Sequence, residues 1–445
     1  MSEKTNNNLI LDTHEKPKPL NWLSLSLQHV LAMFGATILV PALTGLPVGL
    51  TLISSGVGTL IYILCTKGKV PVFLGSSFAF IGAINAARVI GASYDAGGNL
   101  VNQNFGAISG GLIMVGVLYV IIAVIIKYTG TGWVKKALPP VVIGPTIMII
   151  GLYLAPVAVR WSTQTGGARD GAWNGLYVII AFVTLLTAIF VSIYAKGILK
   201  LLPIFAGMVV GYVLSVILGV VDLSAVQTGG FFNDLNFAIT NHVPVFSWEV
   251  AALMLPVAIV TIAEHIGDVM VLNDILKRDL TKEPGLHRTL IGDGLGSIVA
   301  GLIGGPANTT YSENVGVVGL TKVASVWVIG GAAVIAILLG FIAPFTNFVA
   351  TIPFPVMGGV SILLFGIIGS CGVRVMIDGK VNLGSQRNLI IASVILIIGI
   401  GDMSLSFGYI TIGGMALAAI IGIILNLVLP KDKADLTLVS KNPNL

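Results

Sequence analysis

Gly305-Pro306-Ala307-Asn308-Thr309-Thr310-Tyr311-Ser312-Glu313-Asn314-Val315-Gly316 is a polar interruption between an apolar segment ending near Ile303 and another starting near Val323. Backbone carrying Pro and Gly beside a carboxylate and two carboxamides survives at membrane depth only where it lines a cavity or is buried in protein. Secondary transporters use broken helices with polar groups near the bilayer midplane as substrate sites. This stretch is therefore the first candidate for the working part of the molecule, and it sets the reading of everything around it.

The surroundings are membrane-like. Of 445 residues, 56% are hydrophobic and 10% charged, with a mean hydropathy of +0.98. Soluble domains carry about 25% charged residues. The composition selects an all-α polytopic membrane protein. The net charge of +5 does not mark a nucleic-acid surface, because the basic residues sit in short gaps between apolar runs, where they report topology. Cys65 and Cys371 fall near expected cytoplasmic ends and suggest neither a disulfide nor a metal cluster. The polar stretch 1–19, with Glu3, Asp12 and Glu15, does not read as a cleavable signal and is expected to be a cytoplasmic tail.

A spanning helix needs about 20 apolar residues, fewer where it is broken or shielded. Fourteen segments are expected, over 20–43, 48–65, 71–90, 104–126, 138–158, 174–195, 199–221, 247–275, 287–303, 307–321, 323–346, 353–373, 387–402 and 408–430. With the N-terminus placed in the cytoplasm, the alternating gaps put every Lys and Arg on the cytoplasmic side except Arg88, Arg160 and Arg169. So uneven a split supports both the orientation and an even number of spans, with both termini inside.

The two halves echo one another. Leu27-Gln28-His29 corresponds to Ala263-Glu264-His265, and Ser76-Ser77-Phe78 to Thr309-Thr310-Tyr311. Pro140-Val141, Gly144, Thr146-Ile147 and Gly151 correspond to Pro355-Val356, Gly359, Ser361-Ile362 and Gly366. The matches keep chain order and pair each segment with the seventh after it. Seven is odd, so the second half would enter the membrane upside down, the inverted repeat of transporter folds.

Few acids lie within the spans: Glu264, Asp268, Asp293 and Glu313. A charge at mid-bilayer costs about 2.5–3.5 kcal/mol on insertion scales and so needs a partner or a purpose. Glu264 and Asp268 share a helix face. Two carboxylates there repel, so one is expected to hold a proton that it can load and release. Otherwise each is a buried acid satisfied by a hydroxyl or a backbone donor. The breaks at Ser76–Phe78 and Thr309–Tyr311 would expose backbone N–H groups at half-helix starts. Such donors suit the carbonyl oxygens of a neutral planar heterocycle, and a carboxylate suits its ring N–H groups. Phe78 and Tyr311 either offer faces to that ring or simply pack. His29 and His265 either orient the acids or are satisfied core residues. No Lys or Arg lies between Arg288 and Lys322, so the site has no cation for an anionic substrate.

Two other motifs fail on context. Gly399-Ile400-Gly401-Asp402 matches the Gly-x-Gly-Asp string of intramembrane aspartyl proteases, which also need a second embedded Asp; the Tyr94-Asp95 pair falls in an expected outside loop. Asn314-Val315-Gly316 has no phosphate-loop lysine, and no nucleotide-hydrolysis motif is present. An enzyme is not expected, and neither cofactor nor metal is called for.

From about residue 20 to 430 the chain resembles the nucleobase–ascorbate transporter family, and within it the bacterial uracil permeases. The resemblance rests on Glu313-Asn314-x-Gly316 followed by Thr321-Lys322, on Gln28-His29, on Gly75-Ser76-Ser77-Phe78-Ala79-Phe80, and on Ala263-Glu264-His265-x-Gly267. It implies fourteen spans in two inverted sevens, with short extended pieces in the third and tenth segments. A core domain would comprise 20–126 and 247–346, and a gate domain 138–221 and 353–430, with a cytoplasmic C-terminal tail over 431–445. It also implies proton- or sodium-coupled symport, commonly by a homodimer formed through the gate. Carried over by position, Glu264 and Glu313 would bind the base, and the backbone at Phe78 and Ser312 would meet its carbonyls. Tyr311 and Asn314 would complete the site, supported by His29, His265, Asp268 and Asp293. An acid at 313, where purine-directed relatives usually have Gln, favours uracil. Ser312 stands where uracil permeases have Gly, and Asp268 where some have His. Asp268 and an acid at the place of Asp293 are common in purine-directed relatives. The expectation is an inner-membrane uracil:proton symporter. The alternatives are a xanthine or mixed uracil/xanthine symporter, possibly sodium-coupled, and a channel-like or anion-exchanging protein of the same broad fold.

Overall fold

The computed structural model describes residues 9–94, 100–101, 103–167, 171–222, 230–233, 235, 242–407 and 410–430. Arg169, Asp95 and the C-terminal tail lie outside the described residues. The chain is mainly helical. Its first helices are α1 (Pro19–Thr44) and α2 (Val48–Cys65), followed by strand β1 (Leu74–Ser76) and α3 (Ile81–Arg88). Then come α4 (Phe105–Thr129), the short α5 (Gly132–Ala137), α6 (Pro140–Thr163), α7 (Gly175–Tyr194) and α8 (Pro203–Ile217). The second half has α9 (Trp248–Met254), α10 (Val257–Leu276), α11 (Leu286–Ile303), strand β2 (Asn308–Thr310) and α12 (Ser312–Thr321). It ends with α13 (Val326–Phe341), α14 (Ala343–Ala350), α15 (Phe354–Asp378), α16 (Gln386–Ile400) and α17 (Gly414–Val428). Among the described residues, seven helices are long and apolar enough to cross a membrane.

Local chemistry sets the helix ends. Asn104, Asn174, Ser247 and Ser385 each accept a hydrogen bond from a first-turn amide of the helix that follows, the usual N-cap arrangement. Pro256, which has no amide hydrogen to donate, separates α9 from α10 although the backbone stays helical. The segment expected as one span over 323–346 is two helices: Ile342 is extended and Pro344 begins the second. At the far end, Arg387 of α16 donates to the Asn426 and Leu429 carbonyls of α17, a cation on the negative end of a helix.

Small residues let these helices approach closely. α6 packs along α15, where Gly144 and Gly372 each face the other's carbonyl and a Cβ on either would collide with it. α4 and α11 meet in the same way through Gly116 and Gly294, and Ser109 Oγ donates to the Gly301 carbonyl at 2.6 Å. Lipid tails are as apolar as leucine, so close packing and interhelical hydrogen bonds replace the hydrophobic drive of soluble proteins.

In the middle of this bundle β1 and β2 pair antiparallel, with Leu74 opposite Thr310, Gly75 opposite Thr309 and Ser76 opposite Asn308. The ladder extends at both ends through Ser77 N–H to the Ala307 carbonyl (2.8 Å) and Tyr311 N–H to the Phe73 carbonyl (3.1 Å). All six strand residues are buried. Gly304, at φ 99°, ends α11, and Pro306 prevents its continuation. The pairing satisfies backbone that would otherwise be unbonded in hydrocarbon.

Candidate functional site

Each strand leads into a half-helix. β1 passes through Ser77 into a single tight turn, Phe78–Phe80, and then α3; β2 passes through Tyr311 into α12. Neither Ser77 nor Tyr311 makes a side-chain capping bond, so the first-turn amides of both half-helices are left to other acceptors. Glu313 stands in the first turn of α12, where the positive end of the helix dipole favours a negative group.

The ladder depends on side chains around it. Asn308 Nδ2 donates to the Ser54 carbonyl at 2.9 Å and the Gly296 carbonyl at 3.2 Å. Leu74 N–H donates to Thr59 Oγ1 at 2.9 Å. Tyr311 has its ring directly above Gly75, and its hydroxyl donates to the Ser76 carbonyl at 3.1 Å. Tyr311 is thus a brace between the strands, which absorbs the ring face that the sequence offers to a ligand.

The structure brings most of the expected site residues together on α10, β2 and α12. Asp268 accepts hydroxyl hydrogen bonds from Thr310 at 2.7 Å and from Ser312 at 2.5 Å. Asn314 Nδ2 donates to His29 Nδ1 at 3.1 Å and to the His29 carbonyl at 3.2 Å, tying α12 to α1; an amide nitrogen only donates, so Nδ1 accepts. Glu264 lies close enough to Asp268, Glu313 and Asp293 to feel their charge, and its Oε2 is buried with no protein partner. Phe78 is buried, with its ring edge-on to Phe365 of α15 at 5.7 Å between centroids.

His265 and Asp293 form a pair of their own. Their side chains are fully buried, with His265 Nδ1 2.8 Å from Asp293 Oδ2 and His265 Nε2 2.8 Å from Thr289 Oγ1. Tyr62 packs against the same imidazole, its ring centroid 6.4 Å away. This cluster joins α10 to α11, and its charges reach Glu264 and Asp268.

Three participants escape the sequence reading. Thr310 figures there only as the middle of a repeat, yet it holds Asp268. Phe365 closes on Phe78 from another helix, a contact separated by nearly 300 positions that no local pattern announces. Cys371, half-buried on α15, is near enough to feel the charges of Asp268, Glu313 and Glu264, so α15 borders the acids as well as Phe78. Buried polar atoms without a protein partner gather on the same elements: Gln28 Nε2, Ser76 Oγ, Ser77 Oγ, Glu264 Oε2, Thr309 Oγ1 and Asn314 Oδ1. Two cavities lie away from these acids. One, of about 220 Å³, is bounded by Leu46, Phe105 and Gly305. The other, of about 200 Å³, is bounded by Val159, Phe182 and Ile362. Both are almost wholly apolar and carry none of the acids.

Comparison with known proteins bears on the family and the fold. A family model described as "Permease family" matches residues 20–407. The chain is 48% identical over 427 residues, 95% of each chain, to a uracil permease of Bacillus caldolyticus. It is 45% identical over 440 residues, 98% of each chain, to a uracil permease of Bacillus subtilis (strain 168). It is 41% identical over 414 residues to one of Escherichia coli (strain K12), covering 93% of this chain and 92% of the relative. Among solved structures, the transmembrane domain of a cyanobacterial bicarbonate transporter, BicA, superposes with a TM-score of 0.65 at 15% identity, covering 94% of this chain and all of that one. The murine anion transporter Solute Carrier 26 family member A9 superposes with a TM-score of 0.63 at 12% identity, covering 96% of this chain and 69% of that one. At such identities the structural likeness speaks for the fold alone, a transporter architecture. With its apolar helices, its matched family model and its full-length relatives, the chain is a multi-pass membrane transporter, not an enzyme, and belongs to the nucleobase–ascorbate transporter family of permeases.

Proposed function

We propose that this protein imports uracil together with a proton, with the base held between β1–Phe78 and β2–α12. The observation that carries the reading is that Glu313 stands at the uncapped start of α12, with Glu264 of α10 near enough to feel its charge and the uncapped Phe78 turn paired to the same strands. Carboxylates accept from ring N–H groups, and backbone amides donate to ring carbonyls; uracil presents both. The unpartnered buried atoms on the same elements are ones a polar ligand would satisfy. The full-length uracil permease relatives support the same substrate.

In this reading the base-binding residues are Phe78, Glu264, Tyr311, Ser312, Glu313 and Asn314, with Tyr311 acting through the strands. His29, His265, Asp268 and Asp293 support them or carry the proton. The chain comprises fourteen segments in two inverted sevens, with a core domain (20–126 and 247–346) and a gate domain (138–221 and 353–430) that alternate access to the site. It lies in the cytoplasmic membrane with both termini inside and forms a homodimer through the gate.

Xanthine is the competing substrate, because acids at 268 and 293 suit purine-directed relatives. Asp268 is engaged by Thr310 and Ser312, and one oxygen of Asp293 lies 2.8 Å from His265 Nδ1, so this reading assigns selectivity to Glu264 and Glu313. Anion exchange is disfavoured by the lack of any Lys or Arg from 289 to 321. The test is labelled uracil uptake into vesicles, competed with xanthine, under imposed proton or sodium gradients. Uptake that collapses with the proton gradient is expected. Uptake that follows sodium, yields to xanthine first, or is replaced by substrate-independent current would refute the corresponding part.

A further inference from the structure

Residues 9–18, expected from the sequence to be a tail, are laid across the cytoplasmic ends of the helices that carry the acids. Ile10 N–H donates to the Lys322 carbonyl at 2.8 Å, Ala324 N–H to the Leu11 carbonyl at 2.8 Å and Val326 N–H to the Thr13 carbonyl at 3.0 Å. The segment thus adds an extended strand to the link between α12 and α13, with Leu11 bridged in parallel to Val323. Ser325 Oγ donates to the Glu15 carbonyl at 2.6 Å, and the Lys16 ammonium sits 3.6 Å above the Trp327 ring. On its other side, Asp12 is ion-paired with Arg278, just beyond the end of α10. Leu9 packs against an apolar cluster containing Val269, Leu272 and Leu276 of α10 and Val315 and Val318 of α12.

Those two helices meet at the site through one carboxylate, with Asp268 of α10 holding Thr310 and Ser312. Val269 follows Asp268 directly, and Val315 follows Asn314. The strap therefore joins, at the cytoplasmic end, the same two helices that Asp268 joins at the site. We infer that residues 9–16 act as a positioning strap, in which Asp12 and Arg278 hold α10 and α12 in the register that sets the spacing of Glu264 and Glu313. The inference rests on the proposed uracil reading only for its substrate.

The test measures uracil affinity of purified, folded full-length protein, and amide hydrogen exchange over residues 308–318, in Asp12→Ala, Arg278→Ala, Ser325→Ala and the charge swap Asp12→Arg with Arg278→Asp. A half-exposed ion pair supports an expected loss of affinity of about 3- to 5-fold in each single charge variant. Exchange at 308–318 should rise alongside, with recovery in the swap. Ser325→Ala, which leaves the charges in place, should weaken affinity about 2-fold, consistent with one hydrogen bond of modest net worth. Unchanged affinity and unchanged exchange in folded Asp12→Ala and Ser325→Ala would overturn the strap. Wild-type protein that binds no uracil while its exchange still responds to Asp12→Ala would uphold the strap and refute the substrate instead.

Discussion

Ser312 Oγ donates a 2.5 Å hydrogen bond to Asp268 Oδ1, so the first turn of α12 is fastened to the middle of α10. The second oxygen of the same carboxylate takes the Thr310 hydroxyl at 2.7 Å. Ser312→Ala should therefore leave Asp268 half held. A hydrogen bond to a charged acceptor is worth about 1.5–3 kcal/mol, and the lower end is expected here because Ser312 is exposed. The variant should melt earlier in detergent by that margin and still transport. Thr310→Val combined with Ser312→Ala strands a buried carboxylate, and its destabilisation should exceed twice the single effect; simple additivity would show that Asp268 has other support.

Glu264→Gln and Glu313→Gln test the site itself. Each replaces an acceptor with a group that is half donor at nearly constant volume. Losing one charge-assisted hydrogen bond corresponds to roughly 10- to 100-fold in affinity. Each variant should cut uracil uptake in membrane vesicles by at least 10-fold at unchanged protein level. Near-normal uptake from both would sink the assignment.

Gly75→Ala asks how closely the strands are braced. A Cβ at residue 75 would fall within the ring of Tyr311, which is itself buried. Overpacking of this kind costs about 1–3 kcal/mol. Uptake should fall with stability and return partly when Tyr311→Leu is added. Tyr311→Phe alone removes the hydroxyl bond to Ser76 and should cost only about 1 kcal/mol. A silent Gly75→Ala would contradict the observed register.

The strap should be acid-labile in a defined window. Partial burial raises the Asp12 carboxyl, but hydrogen bonds from Arg278 and from Thr13 N–H outweigh it and hold the group below its ordinary 3.8. Glu15 also faces the segment, accepting from Asp12 N–H at 2.8 Å. A carboxyl lowered on docking contributes stability that is fully present above the undocked value and disappears as pH falls through the docked one. Exchange protection of Ala324 and Val326 amides should therefore persist at pH 5 and fade only below about 3.8, in the range expected for a lowered carboxylate. Release near neutral pH would show that other groups govern the strap.

The interrupted stretch at 305–316 was legible because Pro306, Gly305 and a row of hydrogen-bonding side chains cannot continue an apolar helix. The acids were legible because charges are rare at that depth. What lay beyond reading was distance. Nothing local joins Asp12 to Arg278 or Phe78 to Phe365, and a polar tail gives no sign of pairing Leu11 with Val323, 312 positions away. The repeat motif at Gly144 and Gly151 foretold small residues on α6, but Gly366, the counterpart of Gly151, has open space before it. Periodicity marked the position without saying what would occupy the facing surface. The break before α14 was missed because Ile342 and Pro344 lie in an otherwise uninterrupted apolar run.

The ladder between β1 and β2 has a mechanical consequence. Three residue pairs and two flanking hydrogen bonds lock Phe73–Ser77 to Ala307–Tyr311, so the two half-helix starts cannot part like jaws without breaking all of them at once. In the proposed alternating-access cycle the two half-helices would therefore travel together as one piece, past the Phe365 ring that packs on Phe78.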